Sequence, residues 1–293
     1  MSLTSLMKYP NRGEWGQATY RGNCSGYVIK DLIEHFYPNS KPKQFVEVFS
    51  GGGTGKDVAI SLGIENSIHL DLNNGWNALQ DELPISSDFT FSHPPYWDII
   101  KYEEMRKAYS EYDLSNFMSY EEFIQKLDSV NEKIYQNLLN GGRHAILVGD
   151  VRKKEQYYSI IKDMTWFGEL ESHIIKEQFN TVSGKKTYQN ASFIPIEHEH
   201  LLIFKRIDCW NVGIKYTKDF SRDIRMLKHI TWRELIRTAI EHLNGAASID
   251  ELFDLLNEAE KANQNSNVRA KIRQTLNQCQ EFKKDNQTWQ LTF

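Results

Sequence analysis

The stretch Phe89-Thr90-Phe91-Ser92-His93-Pro94-Pro95-Tyr96-Trp97 decides how the chain folds. A short apolar run stops abruptly at a polar residue, two prolines and two large aromatics. Such a run reads as a buried parallel strand. Proline has no N–H to give to a ladder, so the strand ends at Pro94. Whatever follows is delivered to the carboxyl end of a sheet, the rim where open α/β sheets bind ligands. A rigid turn carrying an acceptor and an aromatic face suits a flat, nitrogen-bearing ring. Such a ring can stack on Tyr96 while its exocyclic NH₂ donates to His93 and to a backbone carbonyl.

Upstream, Gln44 to Val48 is apolar and runs through Phe49-Ser50 into Gly51-Gly52-Gly53-Thr54-Gly55, then into a helix from Lys56 to Leu62. This is the first strand–loop–helix of a Rossmann-like unit, whose glycines let the backbone turn tightly and approach a ligand. It is not a P-loop, because Asp57 follows Lys56. The next strand, Ser67 to Leu72, carries Asp71 near its end, 20 residues after Gly51. An acidic residue there can accept ribose hydroxyls, which suits either a nicotinamide dinucleotide or an adenosyl cofactor. Before the first strand, Tyr27 to Phe36 has Val28, Leu32, Ile33 and Phe36 on one helical face, with Asn23 or Ser25 as N-cap and Gly26 at its start. A helix N-terminus attracts a carboxylate.

These residues together resemble the S-adenosylmethionine-dependent amino-methyltransferases that act on adenine N6 or cytosine N4 in DNA. Ser92-His93-Pro94-Pro95-Tyr96 is similar to the family's motif IV, usually Asp, Asn or Ser before Pro-Pro and an aromatic, with His93 in first place here. Glu47, Phe49, Gly51 and Gly53 are similar to motif I, and Asn23 to Gly26 lies where motif X lies. The resemblance covers roughly residues 15–207. It implies a Rossmann-like class I methyltransferase sheet with helices on both faces, and S-adenosylmethionine as cofactor. It also implies direct methyl transfer to the amine of a flipped base, adenine N6 slightly ahead of cytosine N4. Catalytic roles fall to His93, Pro94, Pro95 and Tyr96. Cofactor contacts fall to Asn23, Ser25, Gly26, Glu47, Phe49, Gly51, Gly53, Thr54, Asp71, Leu72 and Asn77, with Asn77 near the adenine ring. His93 accepts only when neutral, so the unperturbed histidine value places an activity loss below about pH 6.5.

The remaining chain supplies expectations about DNA. Residues 98–118 lack periodicity and read as a mobile loop over a bound strand, with Lys101 and Arg106 on phosphates and Trp97 stacking beside Tyr96. Ser119 caps a helix with Phe123, Leu127, Val130, Ile134 and Leu138 inward, ended by Asn140-Gly141-Gly142. Strands are expected at His144–Asp150, His173–Phe179 and His198–Lys205, and a helix at Lys154–Met164. Residues 181–192, with Lys185 and Lys186, suit a DNA-facing loop. His198 and His200 share one face of a strand, but no third ligand stands near in sequence, so no metal is expected.

Residues 1–207 form the methyltransferase domain in this reading, 208–230 a linker, and 231–293 a winged-helix-like domain. Its third helix, Asn267 to Gln278, displays Arg269 and Arg273 for the major groove. Net charge is −4, but residues 206–293 hold 14 Lys and Arg against 12 Asp and Glu, so DNA contact must rest on local patches. Three unpaired cysteines and no apolar run of spanning length point to a cytoplasmic protein without membrane contact. Double-stranded DNA is the expected partner; a homodimer and a companion restriction enzyme are left open. Two other readings remain: an amino-methyltransferase acting on RNA, and a catalytically silent DNA-binding protein.

Overall fold

The computed structural model describes residues 3–179, 194–218 and 222–292. The chain divides into two compact units, residues 1–218 and 219–293.

In the first unit the order is β1 (Leu6–Lys8), α1 (Gly26–Phe36), β2 (Phe45–Val48), α2 (Thr54–Ser61), β3 (Ser67–Leu70), β4 (Ser87–Ser92), α3 (Glu103–Arg106), α4 (Tyr120–Asn137) and β5 (Leu138–Val148). It continues with β6 (Val151–Lys153), β7 (Gln156–Tyr158), α5 (Ile160–Asp163), β8 (Trp166–Phe167), β9 (Glu169–Glu177), β10 (His198–Lys205) and β11 (Ile214–Lys215). Seven strands form one sheet in the order β1-β9-β10-β5-β4-β2-β3. The segment from β3 to β5 is parallel, and β10 runs antiparallel between β5 and β9.

Strand periodicity explains the layering. Phe45, Phe89, Phe91, Ala145, Leu147, Leu201 and Ile203 pack with α1 and α2 on one face. Their neighbours Ile146, Val148, Leu202 and Phe204 pack with α4 on the other, beside a cluster holding Val46 and Val48. Each such side chain contributes about 1.5–3 kcal/mol when fully buried. The Phe89–Ser92 run is the central strand the sequence implied, flanked in parallel by β2 and β5. Ser119 caps α4, its side chain accepting from Glu122 N at 3.1 Å.

Several expectations are corrected. β5 begins at Leu138, directly after α4, so the Asn140-Gly141-Gly142 stop lies inside a strand. The segment expected as one helix, Lys154–Met164, is a hairpin strand followed by the short α5, because Lys154 and Glu155 adopt positive φ at its turn. The 98–118 segment is not free of structure: it holds α3, and Asp113, Leu114 and Ser115 are buried. Residues 208–230 belong partly to each unit: β11 pairs with β8, while Ile230 lies in the second core. The expected 181–192 loop, with Lys185 and Lys186, lies outside the described residues.

The second unit contains α6 (Trp232–His242), β12 (Ala246–Ala247), α7 (Ile249–Leu256), α8 (Val268–Gln278), β13 (Phe282–Asp285) and β14 (Thr288–Leu291). Capping boxes at Thr231/Glu234 and Ser248/Glu251 start α6 and α7. Leu235, Ile236, Ile240, Leu252, Leu256, Ile272 and Leu276 close its core. The terminal hairpin turns at Asn286, at φ 54°, and β12 adds a third strand to it.

Candidate active site

An open cleft lies at the carboxyl rim of β2, β3 and β4. Its lining includes Tyr20, Asn23, Phe49, Gly51, Thr54, Asp71, Leu72, Trp76, His93, Pro95, Tyr102 and Arg106.

The floor is the loop after β2. Phe49 sits at φ 63° and Gly51 at φ 48°, so the chain doubles back at once. For Phe49, a non-glycine residue, this left-handed conformation is strained. Asp71 holds the loop: Oδ2 accepts from Gly51 N at 2.8 Å and Oδ1 from Asn73 N at 2.8 Å. Each carboxylate oxygen keeps a lone pair for a ligand. Asn23 braces the other side, its Oδ1 accepting from Gly52 N at 3.1 Å. Glu47 points up from β2 beneath α2. It accepts from Gly55 N at 3.0 Å and meets His69 Nδ1 at 2.7 Å. Burial pushes its carboxyl up, partly opposed by His69. Glu47 therefore organises the helix start, and a Cβ at Gly55 would strike its carboxylate at 2.4 Å. Thr54 Oγ1 is buried without a partner at the first turn of α2. An unpartnered hydroxyl, an acidic residue across the cleft and aromatic walls make a donor and acceptor set that fits an adenosyl amino acid.

The motif turn is built more elaborately than its residues alone suggest. Ser92 Oγ bonds buried His144 Nε2 at 2.7 Å, fixing the strand end. His93 Nε2 lies 2.8 Å from Tyr96 Oη, and Tyr96 Oη donates to Glu199 Oε1 at 2.6 Å. Lys176 Nζ reaches Glu199 Oε2 at 2.5 Å from the paired residue on β9. Burial and then Glu199 raise the Tyr96 phenol well above its usual range, so it stays protonated. Burial alone would raise Glu199, yet Lys176 and His93 bring it below the ordinary carboxylate value. An ionised Glu199 has no proton to give, so the Tyr96 proton points to it. His93 Nε2 must then carry its own proton toward Tyr96, which leaves Nδ1 as the acceptor. Burial also holds His93 down to about 4, Glu199 only partly opposing and Lys176 reinforcing. At neutral pH the ring is an uncharged acceptor and too weak a base to retain a proton.

The remaining site candidates separate. Asn23, Glu47, Phe49, Gly51, Thr54, Asp71, Leu72, His93 and Pro95 line the cleft; Pro94, Gly53 and Tyr96 do not. Ser25 and Gly26 are structural: Ser25 Oγ donates to Arg12 O at 3.1 Å, and Gly26 is packed against Trp15. Asn77 is buried with Oδ1 accepting from Leu79 N at 3.0 Å, so Trp76 and Ala78 form that wall instead. Trp97 is not a stacking face. At φ 52° it turns inward, its Nε1 donating to Met118 O at 2.9 Å, and packs with Tyr120 and Tyr158. Arg106 is bridged to Asp113 at 2.6 Å with 9% of its side chain exposed, so it walls the cleft rather than meeting phosphate. Lys101 is exposed. Arg273 is exposed on α8, whereas Arg269 is engaged by Asp250 and lies over Phe253. Sequence reasoning missed Tyr20, Tyr102 and Glu199. Glu199 was inside a strand already identified, and its place between two histidines was the available signal.

No protein-family model and no curated protein matches the chain. Solved structures do. One is a provisionally assigned DNA modification methylase from Thermus thermophilus, 18% identical over 60% of this chain and 56% of that one, with TM-score 0.30. Another is TrmN from Thermus thermophilus, 13% identical over 64% of this chain and 50% of that one, with TM-score 0.37. A third is the N-methyltransferase NodS from Bradyrhizobium japonicum, in complex with S-adenosyl-L-homocysteine, 8% identical over 62% of this chain and 87% of that one, with TM-score 0.34. The chain spans about half the length of the first two.

Proposed function

We propose that the chain is an S-adenosylmethionine-dependent methyltransferase acting on the exocyclic amine of a flipped base in double-stranded DNA, adenine N6 ahead of cytosine N4. The observation that carries this reading is His93. It is neutral, anchored through Nε2, and lines the cleft that Asp71 and the glycine loop also line.

S-adenosylmethionine, when bound, supplies an electrophilic methyl. Asp71 would take the ribose hydroxyls, and Thr54 and Asn23 the amino-acid end. The exocyclic amine is a weak nucleophile because its lone pair delocalises into the ring. A hydrogen bond from it to His93 Nδ1 would favour a tetrahedral, more nucleophilic nitrogen. S-adenosylmethionine would supply the methyl in a direct transfer, and the amine's surplus proton would pass to water, since His93 is too weak a base to hold it. Tyr96 positions His93, and the cleft-lining Tyr102 and Pro95 would offer faces to a flipped base. The second unit has the helix and strand order of a winged helix, and α8 with Arg273 would enter the major groove.

The test is transfer of labelled methyl from S-adenosylmethionine to genomic DNA, followed by nucleoside analysis. N6-methyladenine or N4-methylcytosine is the expected product. Label in RNA alone would reassign the substrate, and cofactor binding with no transfer to either would overturn the enzymatic reading.

A further inference from the structure

We propose that Asp150, His198 and His200 form a binding site for one divalent transition-metal ion of the zinc class. The site is separate from the cleft and independent of the methyl-transfer reading.

Strand alternation creates half of it. His198 and His200 stand two residues apart on β10, so both imidazoles project from the same face, while Glu199 between them projects to Tyr96 on the other. Sheet pairing supplies the rest. His200 is opposite Val148 in the antiparallel β5–β10 ladder, and continuing that register sets Asp150 opposite His198. Donor atoms of the three residues lie within 4.8 Å of one another. This corrects the expectation that no third ligand stands near the two histidines: it lies 48 residues before His198 and becomes adjacent only by pairing.

The local geometry favours an ion over a simple hydrogen bond. His200 Nε2 and Asp150 Oδ2 are 3.3 Å apart. A charge-assisted N–H···O contact is normally about 2.7–2.9 Å. Two ligands on a tetrahedral zinc, each about 2.0–2.1 Å from the metal, stand about 3.3 Å apart. The outer contacts are those that orient metal ligands. His173 Nε2 meets His200 Nδ1 at 3.0 Å, and Tyr157 Oη donates to Asp150 Oδ2 at 2.6 Å. The His198 ring stands edge-on to His200, centroids 4.8 Å apart. The Asp150 side chain is 5% exposed, and Tyr157 and Ser159 orient its carboxylate. The hydrogen-bonded chain from His173 through His200 and Asp150 to Tyr157 leaves His198 outside it. A metal ion engages the cluster with two nitrogens and one oxygen, and a fourth position stays open for water.

The test uses tag-free, full-length protein stripped with a chelator and titrated with Co²⁺, then Zn²⁺. One equivalent of Co²⁺ should give visible d–d absorption of tetrahedral intensity, abolished by one equivalent of Zn²⁺. His198→Ala should weaken Co²⁺ binding by more than about 100-fold, since even outer partners cost 10–100-fold. Asp150→Asn keeps the shape of the residue and should show the same loss, which covers the case where a histidine variant does not fold. His242→Ala, in the other unit, should bind as the wild type does. Absence of a cobalt spectrum and of binding heat in the wild type would overturn the site. So would an unchanged spectrum in both His198→Ala and Asp150→Asn.

Discussion

Replacing Tyr96 with phenylalanine removes a single oxygen and leaves the ring in place. That oxygen joins His93 Nε2 at 2.8 Å to Glu199 Oε1 at 2.6 Å. Its loss deprives an ionised carboxylate of one donor, worth about 1.5–3 kcal/mol, and leaves the imidazole N–H without its acceptor. Part is recovered, because His93 Nε2 already lies 3.9 Å from Glu199 and can close on it. A net cost of about 2 kcal/mol is expected, which for a unit of this size lowers Tm by about 4–8 °C. The effect on turnover follows from position. Closing on Glu199 keeps the proton on Nε2 but moves the ring by about 1 Å, which takes Nδ1 out of line with the amine. kcat should fall about tenfold or more, equivalent to at least about 1.4 kcal/mol of transition-state stabilisation. KM for the methyl acceptor should change little, since Tyr96 does not line the cleft. The assay is steady-state methyl transfer with a thermal melt of the same preparation. Wild-type kcat and Tm would refute the relay, as would a loss confined to KM.

Four further outcomes follow from the same geometry. Burial holds His93 near 4, so the kcat profile should carry no step from this residue between pH 5 and 8, unlike the fall near 6.5 implied by the unperturbed value. The stability consequence has the opposite location: the unfolded histidine binds a proton from about pH 6.5 downward, while the native one does not until about 4. His93 thus contributes full stability above pH 6.5 and loses about 3 kcal/mol of it by pH 4, with buried His144, near 3, acting in the same direction. Urea unfolding should show this slope, and His93→Asn should flatten it; an identical slope in the variant would refute the assignment. Gly55→Ala should destabilise by about 1–3 kcal/mol by displacing Glu47 from the α2 backbone, and should weaken S-adenosylmethionine binding in calorimetry. Asp71→Ala releases Gly51 N and Asn73 N together, so cofactor affinity should drop about tenfold or more, about 1.4 kcal/mol. Unchanged affinity would remove Asp71 from the cofactor site.

What could be read from sequence was what is local. The stop at Pro94, the glycines after β2 and the Asp71 strand end are short-range signals, and the cleft assembles where they placed it. The errors come from contacts that cross the chain. Trp97 looked like a stacking face because its inward turn depends on a positive φ and on the Met118 carbonyl. Arg106 looked like a phosphate contact because nothing nearby in sequence announces its bridge to Asp113. Lys154–Met164 has helical composition but turns back at Lys154 and Glu155. Glu199 and Asp150 gain their neighbours from β10 running backward through an otherwise parallel region, an arrangement no periodicity encodes.

The β9–β10 ladder shifts register once, between Ile203 and Phe204. Counted upward from Lys205 opposite Glu169 and Phe204 opposite Leu170, an uninterrupted ladder would bring Ile175 opposite Glu199. The shift advances the count by one and brings Lys176 there instead. Glu171, the residue left over, turns to Arg143. An irregularity at the base of the sheet thus works as a vernier for the motif turn at its top. Deleting residue 171 should remove the irregularity and leave Lys176 opposite Glu199, whereas a slip that drew Glu171 into the ladder would exchange an ammonium for an isoleucine beside the carboxylate that holds Tyr96, although every residue of the cleft would be unchanged in sequence.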